Sequence, residues 1–238
     1  MANFFVKIFD IALYQPLFNL LILLYNYLPG RDFGIAVIVL TIIIRLILYP
    51  STLKSIRTQK TLQEIQPRIK EIQNKYKDDK EKQVKETLEV YKQSKVNPFG
   101  GLLSTIVQVP LLIALYRVFW KGFNSAELVN LYSFIPNPGQ INANFLGMIN
   151  LSQPNIILAI VAGVLQFFQT RGAMAKTKKT KDKTSDFASA MQKQMVYFFP
   201  FLTVIVLLGM PSALGLYWIV GSLFMIAQQY FIFKKKNA

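Results

Sequence analysis

Five stretches of this chain are apolar enough, and three of them long enough, to cross a bilayer: Gly34–Pro50, Leu102–Trp120, Asn155–Gln169, Met195–Gly209 and Ser212–Phe233. A helix crosses a hydrocarbon core of ~30 Å with ~20 apolar residues, and with ~17 at the least. Unpaired peptide groups are too costly in hydrocarbon for such runs to be anything but helical. Asn155–Gln169 and Met195–Gly209 have 15 residues each, which is ~22 Å at 1.5 Å per residue. Either their helices extend beyond the apolar run or the bilayer is thinned around them.

The charge is distributed to match. The chain has 27 Lys and Arg against 12 Asp and Glu, a net +15, which in a soluble protein would suggest nucleic acid. Here Ser51–Lys95 carries 12 of the cations, Arg171–Gln194 carries 7 and the tail 3, whereas Lys121–Pro154 carries Lys121 alone. Positive charge marks the cytoplasmic side. The first two connections and the tail are therefore expected in the cytoplasm. Lys121–Pro154 and the Met210–Pro211 corner are expected outside, with the N-terminus outside and the C-terminus cytoplasmic. This bias, with attraction to anionic lipid, explains the basic loops more simply than ribosomal RNA does.

The apolar run Ile11–Leu28 ends in no small-residue cleavage site, so it does not read as a removable signal peptide. Gln15, Asn19 and Asn26 fall within about 40° of one another on a helical wheel. That polar stripe suits a helix lying on the outer surface, with Tyr14, Tyr25 and Tyr27 at headgroup level. A sixth span turning its amides to the bundle is the alternative, and it reverses the side of the N-terminus.

In Ser51–Lys95 the residues Leu53, Ile56, Leu62, Ile65, Ile69, Ile72 and Tyr76 recur at near-helical spacing. Asp78-Asp79-Lys80 interrupts the pattern, Val84, Leu88 and Tyr91 resume it, and Asn97-Pro98 ends it. Two antiparallel helices follow, with Pro67 as a bend point. Glu71 with Lys75 and Glu81 with Lys85 would add i,i+4 support. The apolar seam is thin, so the hairpin is expected to move relative to the membrane core. KTKKTKDKTSD is low-complexity and basic, and is expected to lack regular structure.

The expected fold is an all-α integral membrane protein: a five-transmembrane-helix bundle with an external interfacial N-terminal helix and a cytoplasmic helical hairpin. Its parts are an interfacial helix over 1–30, spans over 33–50, 101–120, 155–170, 195–210 and 211–233, the hairpin over 51–97, an external loop over 121–154, a basic loop over 171–194 and a tail over 234–238.

A permanent charge, Arg45, sits inside the span Gly34–Pro50, and Arg117 lies near the outer end of Leu102–Trp120. Arg45 costs ~3 kcal/mol at a helix centre on insertion scales, and the eleven Ile, Leu and Val residues of Gly34–Pro50 return roughly 3–7 kcal/mol. The span can insert, but five guanidinium donors need partners. No span contains a carboxylate: nine acids lie in the cytoplasmic connections, and the others are Asp10, Asp32 and Glu127. Arg45 therefore snorkels to phosphates, is wetted by a cavity, or meets an acid brought by another molecule. Ser104, Thr105, Gln108, Gln166, Gln169, Gln228 and Gln229 fall in cytoplasmic halves of spans, and Thr41 is one turn from Arg45 on the same face, while outer halves are richer in Phe, Tyr, Leu and Val. Each amide alone is consistent with an interhelical hydrogen bond. Together with Arg45 they describe a polar recess open to the cytoplasm and closed outside, suited to receiving a polar segment that must cross.

The residue inventory excludes much else. There is no Cys and no His, which leaves no thiolate and no imidazole for catalysis or metal binding, and no span holds an Asp, Glu or Lys. Hydrolytic and metal chemistry lack their usual groups, and no cofactor is expected. No GxxxxGK[ST] loop is present, so nucleotide hydrolysis is not expected. A secondary transporter or channel with a cytoplasm-facing polar cavity is the alternative, although the intramembrane acids and inverted repeats that would favour it are missing.

The strings TIIIRLILYPSTLKS, KYKDDKEKQVKETLEVYKQSKVNPFGGLLSTIVQVPLLIALYRVF and FPFLTVIVLLGMPSALGLYWIVGSLFMIAQQ resemble the core of the YidC family of membrane protein insertases. YQPLFNLL, LYSFIPNP and FLGMINLSQP resemble its external helix and outer loop. The resemblance covers nearly the whole chain, in order. It implies a non-enzymatic insertase and chaperone of the bacterial plasma membrane, with a hydrophilic groove open to the cytoplasm and to lipid and a mobile cytoplasmic hairpin. Arg45 resembles the groove arginine, and Thr41, Gln108 and Trp218 resemble substrate-contacting positions. Gln166 and Gln169 join them as groove candidates, and Pro67, Tyr76, Asp78 and Asp79 mark the hairpin. Implied partners are nascent membrane proteins and the phospholipid bilayer, with the Sec translocon and the ribosome as further candidates, and activity as a monomer. Larger relatives carry an anchor span, a large periplasmic domain, a lipobox cysteine and a long basic tail that are not seen in these 238 residues. Ribosome contact through a tail is accordingly not expected, and Lys234, Lys235 and Lys236 read as positive-inside anchors. Burial of the client's own apolar span, at ~25 cal/mol per Å², would drive insertion, with the membrane potential acting on acidic residues.

Overall fold

The computed structural model describes residues 2–97, 100–173 and 184–234. Its helices are α1 (Ala2–Phe9), α2 (Gln15–Tyr27), α3 (Phe33–Ile47), α4 (Tyr49–Lys75), α5 (Lys80–Gln93), α6 (Gly100–Lys121), α7 (Ile156–Ala173), α8 (Thr184–Leu208) and α9 (Ser212–Lys234). One π-helical turn, Asp10–Tyr14, joins α1 to α2. Two short antiparallel strands, β1 (Asn144–Phe145) and β2 (Ile149–Asn150), pair Asn144 with Asn150 and Phe145 with Ile149. Among the described residues the expected all-α chain thus carries a small β-hairpin, within the connection from α6 to α7.

Among the described residues, Val6–Tyr27 and Ser212–Phe233 are long and apolar enough to cross a membrane, and α3 with α4 makes a third span if the bent pair is taken as one. Ile156–Gly172 and Val196–Leu208 are shorter apolar helices. With 18 residues, α7 reaches ~27 Å, so its helix does outrun the apolar stretch. The helix α8 does so further, starting at Thr184. The expectation of no regular structure for KTKKTKDKTSD therefore fails at Thr184, Ser185 and Asp186. Residues 174–183 lie outside the described residues, as do Pro98 and the tail beyond Lys234.

The carboxylate of Asp32 caps α3 by accepting from Ile35 N at 2.9 Å. The helix breaks at Leu48, where α4 departs at 66°. Pro50 explains the break: its ring opposes the carbonyl four residues back, and its own N–H is missing from the ladder. Arg45 consequently lies in the last turn of α3, where the helix dipole favours a cation.

The bundle is assembled around α9, which packs on α3 and α7, while α7 also packs on α8. Glycines bring these helices close, as small residues do in membranes. A Cβ at Gly163 would overlap Val204, and one at Gly215 would sit 3.4 Å from Leu158. The core at the end nearest the 121–154 connection is aromatic and aliphatic: Phe33 meets Phe119 and Phe123, and Phe18, Leu21, Leu115 and Leu214 are buried around them.

The N-terminal polar stripe is placed otherwise than expected. Asn19 is only 1% exposed. It donates to the Gln15 and Asn130 carbonyls and accepts from Tyr132 N at 2.7 Å. Asn26 donates to Pro136 O at 2.7 Å. Two of the three stripe residues, Asn19 and Asn26, thus bond the irregular 121–154 backbone, whose peptide groups need partners. Tyr14 and Tyr25 are buried for the same reason, donating to Glu127 and accepting from Asn142 N respectively, and only Tyr27 is exposed. Arg117 pairs with Asp10 and lies over the rings of Phe9 and Tyr14.

The hairpin α4–α5 turns over Tyr76–Asp79, where the sequence pattern breaks. Asp79 caps α5 through Lys82 N at 3.0 Å, and Gln83 donates to Gln73 O and Arg68 to Gln93, which fixes the antiparallel register. The helix α4 continues through Pro67. Neither expected i,i+4 pair closes into an ion pair. Instead Lys75 and Lys82 stand over the Tyr76 ring at 5.3 and 5.2 Å. The start of α4 is not loose: Thr52, Ser55 and Ile56 are buried, and Lys60 Nζ donates to Ile232 O at 3.1 Å at the end of α9.

Candidate functional site

Arg45 is turned into the bundle and only 8% exposed. It packs on Gly221 of α9, where an added Cβ would overlap Nη2 and approach Nε to 3.1 Å and Cζ to 3.2 Å. Its Nε is buried with no hydrogen-bond partner. Among the described residues no ion pair forms at Arg45 and no group of carboxylates could hold a metal ion.

The guanidinium opens on a cleft of about 260 Å³ lined by Arg45, Gln108, Val109, Leu112, Gln166, Gln169, Thr170, Tyr217, Trp218 and Ser222. The four contributing helices are α3, α6, α7 and α9. Its wall is ordered by internal bonds: Trp218 Nε1 donates to Gln166 Oε1 at 3.0 Å, and Thr170 Oγ1 donates to Gln166 O at 2.8 Å. Gln166 is thus held with its carbonyl oxygen committed to Trp218. One turn deeper, Leu115 on α6, Ala162 and Leu158 on α7 and Leu214 on α9 are buried and close the bundle towards the 121–154 connection. At the other end Arg45 is three residues from the bend into α4 and Gln169 two residues from Arg171. The helices α6 and α7 both line the cleft yet each packs mainly on other elements, α7 on α8 and α9 and α6 on α4 and the Asp10–Tyr14 turn, among the described residues. The wall between them is therefore thin, and Val109 there is 49% exposed.

Five of the six sequence-chosen groove residues, Arg45, Gln108, Gln166, Gln169 and Trp218, meet in this one cleft. Thr41 does not line it: it is fully buried and donates to Val37 O at 2.6 Å within α3. Gln228 and Gln229 are buried away from the lining, and Gln228 Nε2 has no partner. The side chains of Ser104 and Thr105 lie outside the described residues. The hairpin residues Pro67, Tyr76, Asp78 and Asp79 are not part of the lining, Asp78 being exposed at the turn. Sequence reasoning missed Tyr217, Gly221 and Ser222. Helical spacing held the signal, since positions i+3 and i+4 from Trp218 are Gly221 and Ser222.

Comparison with known proteins gives a concordant result. The family model described as 60Kd inner membrane protein matches residues 23–238. The membrane protein insertase YidC of Fusobacterium nucleatum is 35% identical over 204 residues, 86% of this chain and 87% of that protein. That of Clostridium tetani is 35% identical over 200 residues, covering 84% and 81%. The insertase of Wigglesworthia glossinidia brevipalpis is 33% identical over 220 residues, but this chain spans only 36% of its length. With a match that takes in α3 to α9, the cleft and both connections, this chain belongs to the YidC family of membrane protein insertases, multi-pass proteins of the inner membrane.

Proposed function

We propose that the chain is a membrane protein insertase whose cleft receives the hydrophilic segment of a nascent membrane protein and whose thin α6–α7 wall lets the client's apolar span leave sideways into lipid. The observation that carries this is Arg45, buried with an unpaired Nε and no carboxylate beside it, facing a polar-lined cleft. A cation short of partners in a low-dielectric site attracts a visiting carboxylate more strongly than the same cation in water. Gln108, Gln169 and Ser222 offer further donors and acceptors to a segment leaving water. A segment resting in the cleft has already passed the near leaflet, so less hydrocarbon remains to be crossed.

In this reading the bundle has five spans: α3, α6, α7, the apolar part of α8, and α9. The basic hairpin, the 171–194 connection and the tail are cytoplasmic and the 121–154 connection is external. The N-terminal helix lies along that external connection, because its bonds to it run from Tyr14 to Asn26. A helix crossing the bilayer would leave such a connection within a turn or two. Insertion needs no nucleotide, and the protein acts alone or beside the Sec translocon.

Reconstitution tests this. Liposomes carrying wild type, Arg45→Lys or Arg45→Ala are given a single-span client with either an acidic or a neutral translocated segment. Lys is expected to retain most insertion, and Ala to lose it, more for the acidic client; removing a partner for a buried carboxylate costs ~3–5 kcal/mol. Equal insertion by all three proteins for both clients would overturn the electrostatic role.

A further inference from the structure

The β-hairpin in the 121–154 connection has an unusual tip. Phe145 to Met148 form a turn closed by Met148 N donating to Phe145 O at 3.0 Å, with Leu146 at φ 50° and Gly147 at φ 70°. Two positive φ angles make this a type I′ turn, whose first central position favours Asn, Asp or Gly. Leucine there is strained. The tip also exposes two large apolar side chains: Leu146 is 62% and Met148 87% exposed. A solvated turn would gain on both counts from a polar residue, so the leucine needs an apolar environment of its own.

The tip's position supplies one. Leu146 N donates to Asp32 Oδ2 at 2.6 Å, while the other oxygen of that carboxylate caps α3. Phe145 is pressed on Gly34, where a Cβ would overlap its ring. The tip is therefore bolted to the first turn of a membrane helix, at the level where that helix meets the membrane surface. The connection itself brings no charge to the tip: its charged residues are Lys121 and Glu127, which pair with each other.

We propose that Leu146 and Met148 are inserted in the lipid leaflet on the side of the 121–154 connection, as a wedge that fixes the depth of the α3 start. This placement rests on the membrane reading of α3 and not on insertase activity. The absence of cysteine allows a direct test in the full-length chain. Met148→Cys carries an environment-sensitive fluorophore in phosphatidylcholine–phosphatidylglycerol nanodiscs, which leave both faces open to aqueous iodide. Lys85→Cys on α5 serves as the aqueous reference and Ile160→Cys on α7 as the lipid reference. The expected result is a blue-shifted emission at 148, loss of iodide quenching relative to 85, and quenching by headgroup-proximal nitroxide lipid stronger than by nitroxide deep in the acyl chain. Iodide quenching equal to that at 85, or protection from iodide without any quenching by nitroxide lipid, would overturn the proposal; the second result would indicate a protein partner. Neither reading depends on client insertion, so failure here is separable from failure of the insertase reading.

Discussion

The guanidinium of Arg45 rests where Gly221 has no side chain. Glycine inside a helix costs ~1 kcal/mol relative to alanine, so Gly221→Ala taken alone would firm up α9. The added methyl instead meets the far end of a long side chain, which can move. Gly221→Ala is therefore expected to leave the protein folded, with unchanged thermal stability in detergent, while driving Arg45 out of its seat and lowering insertion of acidic clients towards the Arg45→Ala level. In the Arg45→Lys background the same change should have little effect, because a lysine has no planar head to collide. A Gly221→Ala protein as active as wild type would separate the seat from the function.

At the scale of elements, the N-terminal helix is fastened to the 121–154 connection through Glu127. Burial alone would raise its carboxyl pKa. Hydrogen bonds from Tyr14, Lys121 and Asn130, with the charge of Lys121, outweigh burial and hold it below the usual 4.5. A group whose folded pKa is depressed contributes stability that is fully present above its unfolded value and is lost as pH falls through the folded one. Amide protection of the helix over Tyr14–Asn26 should thus hold from neutral pH down to about 4.5 and decline below it. Glu127→Gln should start lower at neutral pH and lose that acid-dependent step. Identical profiles for the two proteins would show that Glu127 does not hold the helix. The hairpin offers a contrast: its turn was legible from Asp78-Asp79-Lys80, but its docking was not. Thr52 and Ser55 are buried, and Lys60 donates to the Ile232 and Phe233 carbonyls at the end of α9.

For the whole molecule, the apolar runs carried the mostly helical character of the fold, because a bilayer leaves a spanning segment with few choices but the helix. Hydropathy did not locate helix ends in water, which is why Thr184 was missed as the start of α8. Nor could it name the partners of Asn19 and Asn26, since a polar stripe looks alike whether it faces headgroups or the backbone of a distant loop. The cleft was legible in its ingredients, an arginine and amides in cytoplasmic halves of spans without acids. It was not legible in its walls, where Gly221 and Ser222 offer no chemistry until the helices are placed. The central claim is that a client's hydrophilic segment occupies this cleft during insertion. The most direct measurement is disulfide capture between a cysteine in the translocated segment of an arrested client and single cysteines at Gln169, Ser222 or, on the lipid-facing side of α7, Ile160. Capture at 169 and 222 with little at 160 is predicted; capture at 160 equal to that in the cleft, or none at 169 and 222 while the client is still inserted, would contradict it.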